Sequence, residues 1–204
     1  LLCAFLKQLQ HLARKGRGGS HLCDRRQGRS RRLSRLIEYF CEVDVDGIQQ
    51  IRERLQRRGR IGIENASRYL TPPGAEMDEA SFIRAVVEEA DCLLHLDVNN
   101  ILVNARNFGF DPLAFLDALP LDRVCYLHIA GHHQEADGLL IDTHGAPVIG
   151  DVWALLDATY RRVGPLPTCL ERDFNIPPLP ELVAELQHIA WLALYSNGTS
   201  STLL

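Results

Sequence analysis

Short apolar strands alternate with amphipathic helices along the sequence, and this alternation limits the possible folds more than any other feature. The predicted strands end at residues 64, 97, 128 and 171, so successive strand-helix units are 33, 31 and 43 residues long. Strands that alternate with helices form parallel sheets covered by helices. The sequence therefore predicts an α/β fold, either a (β/α) barrel or a doubly wound sheet.

The ends of the predicted helices carry residues that favour helix termini. Asp111 followed by Pro112 is typical of a helix start, and Gly164 is typical of a helix end. We predict helices over residues 46–59, 77–90, 111–119, 151–163 and 180–194, and strands over 61–63, 92–96, 124–127 and 168–170. An insert rich in Gly and His, residues 131–149, is predicted to be a loop.

Several common functions are disfavoured by what the sequence lacks. It has no GxGxxG and no GxxxxGK[ST] motif, which argues against binding of dinucleotides and of nucleotides by a P-loop. No apolar run reaches 18 residues, so no membrane span or membrane partner is predicted. The six cysteines form no CxxC pair and are predicted to be reduced, which favours a cytoplasmic location.

Charge is unevenly distributed along the chain. Residues 1–60 carry 15 Lys and Arg against 6 Asp and Glu, whereas the remaining residues carry 7 against 20. We interpret residues 1–40 as a basic leader, disordered or altered in reading frame, and residues 195–204 as a frayed tail. The alternative, an arm that binds nucleic acid, is less favoured because residues 14–35 contain no aromatic side chains.

Each of the four predicted strands ends on a carboxylate or an imidazole, namely Glu64, Asp97, His128 and Glu171. The carboxyl ends of parallel strands share one face, so these side chains should lie close together. Packed anionic groups repel one another or need raised pKa values, and a bound cation removes that cost. Taken alone, each residue has a structural alternative; Asp97, for example, is also typical of a helix N-cap.

The insert and the strand-flanking amides extend this set. Asp142 and His144 lie two residues apart in the segment DTHG, for which a tight loop is the alternative interpretation. Ligands of the His and carboxylate types without Cys favour iron(II), manganese or zinc in a catalytic site, and their number suggests more than one ion. His95 is predicted to be a core packing residue. Residues predicted to orient ligands or bind substrate are Asn65, Asn99, Asn100 and His132.

Six segments together resemble a known enzyme family. They are IENASRYL, LDVNNILVNARNFGFDP, HIAGHH, DTHGAPV, VWALL and ERDFNIPPLPEL. In order and spacing they are similar to the multinuclear non-heme iron-dependent oxidative enzymes, which include the iron subunit of methanobactin biosynthesis. The resemblance covers roughly residues 40–190. It implies a TIM-type (β/α) barrel, incomplete here because the first barrel units lack a counterpart, with residues 41–194 as its C-terminal part.

The resemblance also implies a metal centre and a reaction. Two or three iron ions would be bound by Glu64, Asp97, His128, Asp142, His144 and Glu171, with Glu64 as the expected bridging carboxylate. The reaction would be the O2-dependent oxidation of a cysteine in a ribosomally synthesised precursor peptide. A small partner protein would present the leader of that peptide, and neither nucleic acid nor a membrane would be involved.

Three other interpretations remain open on the sequence alone. The same side chains could bind manganese or zinc in a metal isomerase or hydrolase on a xylose-isomerase-like barrel. The chain could be an inactive fragment, because an incomplete barrel exposes sheet edges. It could also bind nucleic acid through the basic leader, with binding that is sensitive to salt.

Overall fold

The computed structural model describes residues 62–71, 75 and 77–196. Of these, residues 71–92 belong to one compact unit, and residues 62–70 and 93–196 belong to another. The predicted helix over residues 46–59, the basic leader and nearly all of the predicted tail lie outside the described residues. Every predicted site residue lies in the larger unit.

A parallel sheet organises the larger unit. Its strands are β1 (Gly62–Glu64), β2 (Leu93–Asp97), β3 (Val124–Ile129) and β6 (Thr168–Leu170), and they are ordered β1-β2-β3-β6. Between β3 and β6, the short strands β4 (His133–Gln134) and β5 (Leu140–Ile141) form an antiparallel pair within the insert. The predicted α/β fold with a parallel sheet is confirmed, and each predicted strand lies within one or two residues of an observed one.

Five α-helices occur among the described residues: α1 (Glu79–Glu89), α2 (Val98–Phe108), α3 (Pro112–Ala118), α4 (Gly150–Val163) and α5 (Leu179–Tyr195). Four of them match predicted helices. Helix α2 was not predicted, although Asp97 caps its start and Gly109 ends it; residues 98–105 are all buried and include three asparagines. The hairpin of β4 and β5 was also missed, since strands of two residues carry no periodic signal.

The two faces of the sheet differ in character. In β2, the fully buried Leu94 and Leu96 alternate with His95 and Asp97, so the apolar and polar pairs lie on opposite faces. The apolar core of the larger unit is completed by fully buried side chains of β3, α3 and α4: Leu127, Ile129, Leu116, Leu156 and Tyr160. The polar face is therefore free to carry a functional site.

Helix α1 is the main element described in the smaller unit. The carboxylate of Asp78 caps its start by accepting a hydrogen bond from the Ser81 backbone N–H at 2.8 Å. Phe82, Val86 and Val87 of this helix are buried. Within the described residues, no helix has the length and apolar character needed to cross a membrane.

Gly109 ends helix α2 in a left-handed conformation, with φ of 72° and its N–H donating to the Ala105 carbonyl. We expect Gly109→Ala to lower the free energy of unfolding by about 1 kcal/mol, because a Cβ is disfavoured at positive φ. The matched control is Gly150→Ala at the start of α4. At both glycines an added Cβ meets no atom within 4 Å, and only Gly109 has a positive φ. Chemical denaturation of both variants tests this; an equal effect would contradict it.

A buried ion pair fastens the end of β6 to α5. Arg172 donates two hydrogen bonds, at 2.6 and 2.8 Å, to Glu185, which also accepts one from the Val148 backbone N–H. The Arg172 side chain is only 6% exposed.

We expect Arg172→Met to lower the free energy of unfolding by about 3 kcal/mol, since it leaves the Glu185 carboxylate half-buried without its partner. The exposed pair of Arg162 with Asp117 is the control, and Arg162→Met should cost at most about 1 kcal/mol. Denaturant titration measures both variants. Similar losses of unfolding free energy in the two variants would show that burial does not determine how much these ion pairs stabilise the protein.

Candidate metal centre

The four strand-end residues meet at one edge of the sheet. Nδ1 of His128 lies 2.9 Å from Glu171 Oε2, 3.2 Å from Glu64 Oε1 and 3.9 Å from Asp97 Oδ2. One donor atom from each of the four residues can be chosen so that all lie within 4.8 Å of one another. The arrangement follows from the register, because Asp97 pairs with His128 across β2 and β3 and the strands run parallel.

The two oxygens of the Asp97 carboxylate differ: one caps a helix, and the other has no hydrogen bond. Its Oδ1 caps helix α2 by accepting the Asn100 backbone N–H at 2.8 Å, so the N-cap interpretation is correct. Its Oδ2 has no hydrogen-bond partner, although the residue is 0% exposed. This orphaned oxygen lies 3.9 Å from His128 and 3.8 Å from His144. A carboxylate oxygen buried without a partner beside two imidazoles fits a site for a cation.

The insert brings Asp142 and His144 to the same cluster. His144 Nε2 lies 2.6 Å from Asp142 Oδ1, and its Nδ1 lies 3.3 Å from Glu171 Oε2. Despite the short distance, Nε2 makes no hydrogen bond. His144 also has a left-handed backbone with φ of 50°, which is uncommon for a residue with a side chain. The loop thus holds an imidazole and a carboxylate side by side at ion-pair distance.

Positive charge on the imidazoles balances part of the negative charge. Burial lowers the pKa of His128, but hydrogen bonds with Glu171 and Glu64 outweigh burial and raise that pKa to about 10. Burial opposes protonation of His144 in the same way, yet Asp142 and Glu171 raise its pKa to about 11. The two imidazoles in turn hold the pKa of Glu171 well below its usual range. Burial raises the pKa of Asp97 to about 7, against the N–H of Asn100.

Asn65 and Asn100 hold the ends of β1 and β2 together. The Asn65 side chain accepts the Asp97 backbone N–H at 2.8 Å and donates to the Asp97 carbonyl at 2.9 Å, which reproduces a strand-to-strand pair. Asn100 donates from Nδ2 to the Asn65 carbonyl at 3.0 Å. Both side chains are buried. The two amides therefore position the backbone that carries Glu64 and Asp97.

Asn99 and His132 support the insert side of the cluster. Asn99 donates to Asp142 Oδ1 at 2.9 Å, and its side-chain oxygen lies 2.7 Å from His132 Nδ1. Burial lowers the pKa of His132, which favours the neutral ring. Asn65, Asn99 and Asn100 thus bond directly to a predicted ligand residue. His132 reaches one through Asn99.

Two residues near the cluster were not among the predicted ligands. His95 is buried, as predicted, but its ring also packs edge-on to His128 with centroids 3.9 Å apart, and it can join Glu64 and His128 as a donor group. Burial and His128 lower its pKa to about 4. Asp173 Oδ2 lies 3.8 Å from His144 Nδ1. The two-residue period of a strand signals His95, which shares a face of β2 with Asp97.

The donor chemistry of these groups is uniform. Among the described residues, each group that could hold a metal consists of imidazoles and carboxylates, with no thiolate. Such sets suit iron(II), manganese or zinc in sites with open positions better than they suit structural zinc.

Comparison with known proteins finds several similar to this chain. A UPF0276 protein of Nitrosospira multiformis is 55% identical over 150 residues, which cover 71% of this chain and 53% of the relative. A UPF0276 protein of Neisseria meningitidis serogroup C is 56% identical over 145 residues, covering 70% and 52%. The chain thus spans about half the length of the curated relatives it matches.

A family model supplies the more informative match. It describes the RiPP precursor modification enzyme MbnB/TglH/ChrH and matches residues 34–193, a range that contains every residue of the cluster. This range is well over half of the 204 residues. The chain therefore belongs to the RiPP precursor modification enzyme family MbnB/TglH/ChrH.

Proposed function

We propose that the protein is an iron-dependent enzyme that uses O2 to oxidise a cysteine in a ribosomally synthesised precursor peptide. Membership of a family of precursor modification enzymes supports the peptide substrate. The observation that carries the metal is the orphaned Oδ2 of Asp97, which is buried between two imidazoles. The preference for iron and for cysteine rests on the resemblance of the motifs, and the His and carboxylate donors are compatible with it.

The proposed ligands are Glu64, Asp97, His128, Asp142, His144 and Glu171. Their contacts form two sets, one around His128 and one around His144. Glu171 Oε2 lies 2.9 Å from the first imidazole and 3.3 Å from the second, and Asp97 Oδ2 lies 3.9 and 3.8 Å from them. These distances support at least two ions. They also favour Glu171 or Asp97 as the shared carboxylate over Glu64, which is within ion-pair distance of His128 and not of His144.

Bound iron would supply a site for the cysteine thiolate and electron transfer to O2, which would take up the electrons removed from the cysteine. The protein's own residues would prepare that site. Asn65 and Asn100 fix the backbone at Glu64 and Asp97, and Asn99 fixes Asp142. His128 and His144 hold protons that a cation would displace, so metal binding should release protons and weaken at low pH.

The architecture proposed for the whole protein is a TIM-type (β/α) barrel. The observed parallel sheet with its site at the carboxyl edge of the strands supports this, because barrel enzymes carry their sites there. A small partner protein that presents the peptide leader is part of the proposal, on the strength of the resemblance. The isomerase or hydrolase alternative would use the same side chains with manganese or zinc, and the identity of the bound metal separates the two.

We expect Asp97→Asn to lower the affinity for iron at least about tenfold, since an amide oxygen replaces a carboxylate ligand while the helix cap is kept. The matched control is Asp111→Asn. Asp111 caps α3 by accepting the Leu113 N–H at 2.8 Å, outside the cluster. Each variant is loaded with Fe(II) without oxygen, and bound iron is counted per chain. Equal iron in both variants would remove Asp97 from the ligand set.

A second experiment tests the reaction. A synthetic peptide with a single cysteine is added to the iron-loaded protein without oxygen, and a visible charge-transfer band is expected as thiolate binds iron. Admission of O2 should then consume oxygen and change the mass of the peptide at the cysteine. The control peptide carries serine in its place and should give neither signal. A colourless protein that retains zinc or manganese, with no oxygen uptake, would support the alternative enzyme.

A further inference from the structure

Asp142 is fixed by two side chains that belong to neither the predicted ligands nor the predicted orienting residues. The Ser67 hydroxyl donates to Asp142 Oδ2 at 3.0 Å. The Tyr69 hydroxyl accepts the Asp142 backbone N–H at 2.8 Å. Together with Asn99, which donates to Oδ1, these contacts restrain the carboxylate at both oxygens and the backbone behind it.

The loop that follows β1 is built to present these two hydroxyls. Its Ala66 carbonyl accepts from Asn104 of α2 at 3.0 Å, and its Arg68 N–H donates to the Asn104 side chain at 2.9 Å. The Arg68 guanidinium also stacks on the Phe108 ring at 3.6 Å. Residues 66 and 68 therefore fasten the loop to α2. The alternate residues of the extended segment, 67 and 69, face the other way and meet Asp142.

The segment around Asp142 needs such support, because it makes few backbone bonds of its own. It follows β5, which pairs only through Leu140 and Ile141, and it precedes the strained left-handed His144. Tyr69 supplies the acceptor that a neighbouring strand would otherwise provide for the Asp142 N–H. The Asp142 side chain is only 13% exposed, so water competes weakly for the hydrogen bond from Ser67.

We propose that Ser67 and Tyr69 are positioning residues of the metal centre. Ser67 fixes the rotation of the Asp142 carboxylate, and Tyr69 fixes its main chain, so that Oδ1 stays beside His144. Each carboxylate oxygen keeps a lone pair for a cation after accepting one hydrogen bond. A ligand held in a single orientation loses less conformational entropy when it binds metal. The proposal rests on the proposed metal centre, not on the identity of the ion or on the oxidation.

Titration with Co(II), followed by its visible absorption, tests the role of Ser67. We expect Ser67→Ala to weaken Co(II) binding about 10- to 100-fold and to alter the spectrum of the bound ion. Ser67→Thr keeps the hydroxyl and should bind within about threefold of the unchanged protein. The matched control is Ser81→Ala in α1, which removes a similar bond of 3.1 Å from a serine hydroxyl to the Asp78 carboxylate in the other unit. It should leave Co(II) binding unchanged.

Tyr69→Phe provides an independent test that should leave folding intact, because it removes only a hydroxyl from a side chain that is 48% exposed. It should weaken Co(II) binding about tenfold, whereas Tyr195→Phe on α5, whose ring packs on Trp191, should not. Co(II) affinities of Ser67→Ala and Tyr69→Phe equal to those of their controls would overturn the proposal.

The outcome for the unchanged protein separates this inference from the proposed reaction. If that protein binds Co(II) but never oxidises the cysteine peptide, the reaction is wrong and the positioning role stands on the Co(II) data. If it binds no Co(II), both the metal centre and the positioning role are wrong. If it oxidises the peptide and the Ser67 and Tyr69 variants bind Co(II) as tightly as their controls, only the positioning role is wrong.

Discussion

The Asp97 carboxylate is fully buried at the end of a strand, and the cost of burying that charge governs the arrangement around it. One oxygen is satisfied by capping a helix, which leaves the other with no hydrogen bond. This second oxygen is surrounded by imidazoles rather than by amide or hydroxyl donors. Two imidazoles with raised pKa values lie within 4 Å of it, and their protons provide positive charge that a metal ion would replace.

Rigid supports keep the charged groups in this costly arrangement. The last register pair of β1 and β2 is Glu64 with His95, and the Asn65 side chain extends the contact between the two strands by bonding to the Asp97 backbone. On the opposite side, the buried pair of Arg172 and Glu185 ties the segment after Glu171 to α5 and to the backbone at Val148. Repulsion between carboxylates is therefore resisted by hydrogen bonds that do not involve the carboxylates themselves.

Membership of a precursor modification family gives this cluster its chemical context. The chain spans about half the length of the relatives it matches, and the cluster lies entirely within residues 34–193, which the family model matches. Glu171 and Asp97 each lie near both His128 and His144, and these contacts support the proposal of more than one ion.

Sequence reasoning identified the four strands of the parallel sheet, four of the five described helices and the strand-end residues, because each depends on local signals. Period-two apolar runs, capping residues and glycine stops are all read within a few positions of the chain. It missed α2, although Asp97 and Gly109 mark the ends of that helix, and it treated His95 as packing alone. In the folded protein the asparagines of α2 are buried and the His95 ring lies against His128, and both facts depend on neighbours that are distant in sequence.

The sequence by itself determined that acids and imidazoles end successive parallel strands, since strand direction forces those ends to one edge. Only the tertiary structure decided which contacts the side chains at this edge make. It showed that Asp97 divides its two oxygens between a helix cap and the cluster, and that Ser67 and Tyr69 reach Asp142 across more than seventy residues. The reason is that such contacts are set by loop paths and strand register, which are fixed by packing of the whole unit and not by any short segment.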